Sequence, residues 1–577
     1  MDIKLIQAQV VIIGAGAAGL RTAIELTSQG VDCLVLGKRE HGDAHTSQAA
    51  GGINASLGSL DEEDDWTLHG ADTLREGHFI CDPVAVELLA RRAPERIREL
   101  ATWGCPFDRT EEGAINQRYF GAQSFRRTCF VGDRTGEAVL ETLVERAKEL
   151  EVPYRQNVFI TKILTEDGRA LGALGWDMET GEALVFSGAA VVLAAGGCTA
   201  LYKRSSSRPG ENTGDATALA LAAGAGLRDM EFIQFHPTGM VSPEELVGKL
   251  VTEAVRGEGG RLTNTEGERF MERYAPEQME LSARDVVARA IAEEVSQGRG
   301  TKRNGVYLDI SHRDREFIQR RLPRIYDRFM DNGVDIANEP MEVAPTAHYA
   351  MGGVKVDFRT GKTDVEGLFA VGESTAGVHG ANRLGGNSLA ETVVFGEVTG
   401  AYLAGWVEGR ERPEITPQAV RGHFEELEAR CRQHGSEGAE ELIEELGELL
   451  EARAGIVRTK KGVAAGIEEL AGLRERAKNL KIYTRPGSTA FVRMCNLDFM
   501  LDTAEVLVEA ARMREESRGA HFREDFAETR PRWKVSLVGR RDEKGALTFE
   551  RVEVGGVPAV LKEALEREVE LDYHHLE

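Results

Sequence analysis

Gln9-Val10-Val11-Ile12-Ile13-Gly14-Ala15-Gly16-Ala17-Ala18-Gly19 is the stretch on which the fold turns. A short β-branched run stops at a glycine. Three glycines follow in the spacing Gly-x-Gly-x-x-Gly, and a helical pattern then runs through Leu20 and Leu26 to Gly30. Val31 to Leu36 reads as the next strand, so the chain opens as a βαβ unit. In such a unit Gly14 permits the tight turn, Gly16 lets the backbone approach a pyrophosphate, and Gly19 allows close helix–strand packing. Ala15, Ala17 and Ala18 complete the phosphate turn, and the helix N-terminus offers free N–H groups and the positive end of its dipole. The second strand ends Leu36-Gly37-Lys38-Arg39 with no acid at its tip. Gly37 and Lys38 are taken as dinucleotide contacts, and Glu40 is the nearest candidate for the ribose hydroxyls.

Two later segments repeat the strand-to-glycine return: Ala189-Ala190-Val191-Val192-Leu193-Ala194-Ala195-Gly196-Gly197 and Gly367-Leu368-Phe369-Ala370-Val371-Gly372-Glu373. One dinucleotide domain assembled from distant segments follows, with the part between them inserted. The expected fold class is α/β: a Rossmann-like FAD-binding domain with an inserted α+β capping domain, then a helical domain and a small C-terminal β tail. The expected boundaries are 1–231 and 349–412 for the FAD-binding domain, 232–348 for the cap, 413–530 for the helices and 531–577 for the tail. Glu-rich amphipathic stretches such as Glu440 to Glu451 mark the helices, their acids read as a solvated face. Lys534-Val535-Ser536-Leu537 and Leu547 to Val552 restore a strand-like alternation.

A chain of 577 residues exceeds one ordinary domain. Its formal charge of −24 argues against nucleic acid and against electrostatic binding to anionic lipid. If the substrate is an anion, the site must reverse the local field with its own Arg and His residues. The 7 cysteines are scattered with no Cys-x-x-Cys, which fits a reducing cytosol and predicts no disulfide framework, metal site, iron–sulfur cluster or c-type haem. Electrons leaving a flavin here must therefore go to another molecule or subunit. The longest apolar runs, such as Ala189 to Ala195, fall far short of the roughly 20 residues of a membrane span. The apolar N-terminal run continues into the glycine turn and lacks a cleavage signature, so it is not read as a signal peptide.

Past the opening unit lies Asp43-Ala44-His45-Thr46-Ser47-Gln48-Ala49-Ala50-Gly51-Gly52, where an FAD isoalloxazine ring is expected to sit. A histidine there can anchor the flavin covalently, which makes it a better electron acceptor and points to difficult oxidations. Further on come His236-Pro237-Thr238-Gly239, Thr252-Glu253-Ala254-Val255-Arg256-Gly257-Glu258-Gly259-Gly260, Arg284-Asp285, His348-Tyr349, and Gly380-Ala381-Asn382-Arg383-Leu384-Gly385-Gly386-Asn387-Ser388-Leu389. Singly, each has an ordinary structural reading as a core histidine, an ion pair or a turn. Together on a flavin fold, two histidines and several arginines suit a small dianion, because a guanidinium pairs with a carboxylate through two hydrogen bonds.

These blocks, in this order and over most of the chain, resemble the flavoprotein subunit of succinate dehydrogenase and fumarate reductase. The resemblance implies FAD bound covalently through His45, with Thr46, Ser47, Gly51, Gly52, Asp215, Glu373, Asn387, Ser388 and Leu389 among its contacts. It implies His236 and Thr252 on one substrate carboxylate and His348 and Arg383 on the other. Arg284 is implied as the proton donor or acceptor, connected to solvent through Glu253 and Arg256. The reaction implied is hydride transfer between succinate or fumarate and the flavin, as in the tricarboxylic acid cycle and respiratory complex II. The partners implied are an iron–sulfur subunit and membrane-anchor subunits that hold the chain peripherally at the cytoplasmic side of the cell membrane. Ala50 departs from the polar residue usual before the double glycine and leaves the direction open. Ala216 replaces a common glycine. The alternatives are a soluble flavin oxidase of the L-aspartate oxidase type, which His45 counts against, and a non-catalytic flavin-bearing electron-transfer scaffold.

Overall fold

Val10–Ile13 is fully buried because it is the middle of a five-stranded parallel sheet. The order is Leu368–Ala370, Ala190–Leu193, Val10–Ile13, Cys33–Leu36, Tyr154–Arg155, with Val11 paired to both Val191 and Leu34. A strand covered on both faces must be apolar throughout, which is why this run does not alternate. The computed structural model describes residues 2–567. The helix Ala17–Ser28 packs against the long helix Asn387–Trp406, so the opening unit and a segment nearly four hundred residues later close over the same sheet. A second sheet, of Ile3–Gln7, Ala183–Ser187, Arg169–Asp177 and Val158–Glu166, flanks it.

The inserted segment builds an antiparallel sheet from Ile233–Met240, Met341–Ala350, Val306–Asp309 and Arg261–Thr263. The strands that open and close it pair with each other, which returns the chain to its point of departure. Its interior is a separate apolar cluster that includes Val251, Leu262, Ile291, Leu308, Phe329 and Val343. The helices after residue 415 have no such independence. Phe424, Leu446, Leu470 and Leu501 belong to the same buried cluster as Val11 and Leu193. Side-chain caps from Thr416, Thr459 and Ser488 fix the starts of three of these helices. Helix Ala439–Ala454 buries Leu442, Leu446 and Leu450 while Glu440, Glu445 and Glu448 stay at the surface.

The C-terminal strands Val535–Arg541 and Leu547–Glu553 form a hairpin that extends a sheet containing Leu227–Arg228, Gly353–Lys355 and Thr375–Ala376. The tail is more than strands. Helix Ala559–Glu566 follows and sets Leu561 and Ala564 against Leu68, Ala71 and Leu74 of helix Trp66–Glu76, where Gly70 makes room. Residues 568–577 of the expected tail lie outside the described residues. Among the described residues no helix is long and apolar enough to cross a membrane.

Candidate active site

The turn after Val10–Ile13 is shaped by close backbone approach. Gly14 has φ +116°, and a Cβ there would lie 2.1 Å from the carbonyl oxygen of Ala194. A Cβ on Gly19 would strike the Gly14 carbonyl at 2.0 Å, so the first helix packs directly onto the turn there. Gly16 caps that helix without a side-chain hydrogen bond, and the Ala17 N–H is taken by Thr46 Oγ1 at 3.1 Å. That bond ties the His45 turn to the helix N-terminus.

A cavity of about 1060 Å³ begins at this turn and runs without interruption to His236, His348 and Arg383. Gly14, Ala15, Gly16, Ala17, Ala18, Gly37, Lys38, His45, Thr46, Ser47, Gly51, Gly52, Asp215, Glu373, Ser388 and Leu389 all line it. Gly19 does not, because it packs on Gly14. Asn387 does not either. Its amide is consumed beneath the loop by Asn54, His69 and Thr73 at 2.8, 2.8 and 2.9 Å. Glu40 is exposed and off the cavity wall. At that end Lys38 Nζ instead meets Asp215 Oδ2 at 2.5 Å. The cavity joins a glycine turn with an open helix N-terminus to a chamber lined by cations, and those features fit a dinucleotide flavin with an anion beside its ring.

The far end is built from side chains. Arg284 opens helix Arg284–Ser296 and is gripped on two sides: Nε and Nη2 donate to Glu253 Oε2 at 2.9 and 2.7 Å, and Nη1 donates to Gln234 Oε1 at 3.0 Å. Glu253 also accepts from the Gly121 N–H at 2.7 Å. Burial would raise its carboxyl, but Arg284, Arg256 and the Gly121 N–H outweigh burial and hold it at about 2. Arg256 lies behind this pair, outside the cavity wall, with Nη2 3.7 Å from Glu253. Its Nη1 donates to the Glu280 carbonyl, and the Glu280 carboxylate pairs with Arg269, whose side chain is a third exposed. Arg256 is thus buried, with the partly exposed Glu280–Arg269 pair on its outer side. Thr252 caps the short helix Glu253–Gly257, its hydroxyl accepting from Ala254 N at 3.4 Å, and lines the cavity.

His236 and His348 face one another with ring centroids 5.5 Å apart. The Thr238 N–H donates to His236 Nδ1 at 3.3 Å, so the neutral ring carries its proton on Nε2. His348 Nδ1 is 2.9 Å from Ser206 Oγ. Burial, reinforced by the surrounding arginines, holds both imidazoles well below the usual histidine range, so both stay neutral. Arg383 stacks 4.4 Å from the Tyr349 ring centroid, and its buried Nε has no hydrogen-bond partner. Burial and the nearby Arg284 lower it to about 10. Arg383 lines the cavity, so its guanidinium stands where an anion in the chamber could meet it. Glu373, on the cavity wall, is pushed up to about 7 by burial despite the pull of His45 and the Ala350 N–H.

Sequence reasoning missed Gln234, Gly121, Ser206, Tyr349 and Glu211 as members of this constellation. Gln234 and Tyr349 stand next to or two places from recognised histidines on strands, a usable signal. Ser206 and Glu211 carry none, since only the fold brings their loop to His348 and His45.

Residues 9–389 match the FAD binding domain family, and residues 443–568 match the family described as fumarate reductase flavoprotein C-term. The chain is 44% identical over 546 residues to a fumarate reductase (CoM/CoB) subunit of Methanothermobacter marburgensis, covering 94% of this chain and 98% of the relative. It is 37% identical to the succinate dehydrogenase flavoprotein subunit of Rickettsia conorii, covering 94% of each. Among solved structures, the Mycobacterium smegmatis Sdh1 complex with UQ1 superposes with a TM-score of 0.87 at 39% identity, covering 97% of this chain and 96% of that one.

Proposed function

Because this chain belongs to the succinate dehydrogenase and fumarate reductase flavoprotein family of FAD-dependent oxidoreductases, we propose that it interconverts succinate and fumarate and exchanges the electrons with a separate iron–sulfur subunit. The observation that carries this reading is the chamber of His236, His348, Arg284 and Arg383 opening into the same cavity as the dinucleotide turn. FAD bound in that cavity supplies a two-electron donor and acceptor.

The residues around it divide the remaining work. His236 Nε2–H and Thr252 hold one carboxylate, while His348 and Arg383 hold the other, so the dianion is fixed at both ends. Neutral imidazoles among cationic arginines keep the chamber positive without excess repulsion, which answers the −24 charge of the whole chain. Arg284 gives or takes the proton at the substrate carbon, and Glu253, ionised and bonded to it, restores that proton through Arg256. The carboxylate clamps stabilise charge that develops on the substrate in the transition state. The inserted domain contributes His236, Thr252, Glu253 and Arg284, so its seating on the flavin domain excludes water from the chamber. His45 bears the covalent flavin bond. Membrane-anchor subunits hold the assembly peripherally, as none of the described helices of this chain is long and apolar enough to cross a membrane.

The test is an anaerobic titration of the purified protein with succinate, followed by reoxidation with fumarate. Loss and recovery of the flavin absorption are expected. No bleaching by succinate, or oxygen consumption with L-aspartate, overturns the reading.

A further inference from the structure

His45 begins a short 3-10 turn, His45–Gln48, on the cavity wall. Its Nδ1 lies 3.2 Å from Glu211 Oε2, contributed by a loop 166 residues later. Glu211 lines the same cavity but only 9% of its side chain is exposed, and it is held from behind. Arg208 Nε donates to Oε2 at 3.0 Å, Arg208 Nη2 donates to Oε1 at 2.5 Å, and Arg39 Nε stands 3.6 Å away. Arg208 also meets Asp43 Oδ1 at 2.6 Å, two residues before His45, so the turn and the loop are riveted together. Burial works against ionisation of Glu211, but His45 and Arg208 hold its carboxyl at about 2. An ionised carboxylate only accepts, so the proton between the two groups belongs to Nδ1. With that proton on Nδ1 the lone pair that can attack is on Nε2, for which no side-chain hydrogen bond is found among the described residues.

We propose that Glu211 is the positioning residue for covalent flavin attachment: it fixes the His45 tautomer that leaves Nε2 nucleophilic and balances the positive charge the ring gains as the bond forms. The inference rests on the covalent attachment proposed above. In that step an Nε2–C bond forms at the flavin 8α-methyl carbon and one C–H bond of that methyl breaks. The methyl proton and, after attack, the Nδ1 proton leave, the latter towards Glu211. The electron pair of the broken C–H bond stays in the ring system. A molecule of fumarate then takes the two electrons and two protons and leaves as succinate, returning the attached flavin to its oxidised state.

The experiment compares purified wild type, Glu211→Gln, Glu211→Asp and His45→Ser. FAD per chain is read from the absorption of the native protein. Covalent flavin is read from in-gel fluorescence after denaturation and from the mass of the His45 peptide. Wild type is expected to be linked. Glu211→Gln is expected to hold FAD but to carry at least tenfold less covalent flavin. Glu211→Asp, which keeps the charge, is expected to recover at least half the wild-type level. A Gln variant linked as fully as wild type overturns the role of Glu211 while leaving covalent attachment intact. An Asp variant no better than Gln overturns the requirement for charge, and loss of FAD altogether from the Gln variant makes the residue structural and sinks the proposal. Wild type with FAD bound but unlinked overturns the covalent reading itself.

Discussion

The two ends of the cavity are made by opposite means. At the dinucleotide end the shape is set by backbone: Gly14 against Ala194, Gly19 against Gly14, and a helix whose N-cap Gly16 offers no side-chain hydrogen bond. Those contacts arise within one contiguous unit and a neighbouring strand. At the histidine–arginine end the lining is set mainly by side chains, with the Gly121 N–H as a backbone contribution to Glu253. His236 rides on a strand of the inserted sheet, Glu253 on a one-turn helix, Arg284 at a helix start, His348 on a returning strand and Arg383 in a glycine-rich loop. At the first end the tight glycines shape the turn itself. At the second the work falls to charge and hydrogen-bonding capacity, and its geometry can survive the loss of a function.

Gly14→Ala should be the most damaging change. Its Cβ would fall 2.1 Å from a backbone oxygen at a φ that only glycine adopts freely, so FAD binding and soluble folding should fail together. An alanine variant with full flavin content would break the contrast. Arg284→Ala should leave FAD bound and lower turnover by about 10²–10⁴-fold, the usual contribution of a proton-transfer group. Retained activity would remove Arg284 from the mechanism, and loss of flavin would erase the division between the two ends.

Arg383→Lys should be milder. It keeps a positive charge but loses the planar fork and the stack on Tyr349. A charged hydrogen bond is worth about 1.5–3 kcal/mol. The specificity constant should therefore fall roughly ten- to a hundredfold, chiefly through KM. A change confined to kcat would mean that the contact from Arg383 forms mainly in the transition state, with little of it made to the bound substrate.

The last expectation is a flat profile. His236 and His348 stay neutral because burial and the arginines depress them, so kcat/KM should show no histidine titration near pH 6.5 arising from either. Stability, by contrast, should respond to pH. Unfolded imidazoles take up protons below about 6.5. The folded ones do not, so the two residues weaken the fold as pH falls below that value. An inflection near 6.5 that disappears in His236→Asn would show that the chamber is less positive than its arginines require.

Much of this was legible in the chain alone. The opening unit, the two later strand returns and the inserted segment emerge from runs such as Val10–Ile13 and Ala190–Leu193, which are apolar throughout because both faces are covered. The reading failed where local pattern and tertiary role part company. Asn387 stands in the right loop, yet its amide points into a buried layer with Asn54, His69 and Thr73. Glu40 sits at the expected distance after the strand but is exposed and off the cavity wall, where Lys38 and Asp215 form an ion pair instead. The expected β tail contains a helix, because Leu561 and Ala564 bury themselves on a distant helix whose small residues give no sign of the partner.

Residue order alone dictates the dinucleotide turn, the layered α/β architecture and the roster of charged residues, since these depend on periodicity, glycine placement and side-chain chemistry that neighbours along the chain supply. Long-range packing selects which of those residues share a chamber, makes Glu253 rather than another acid the partner of Arg284, and brings Glu211 to His45. The physical reason is range. Backbone conformation is settled over a few residues, whereas a hydrogen bond between groups 166 positions apart exists only after the intervening chain has packed.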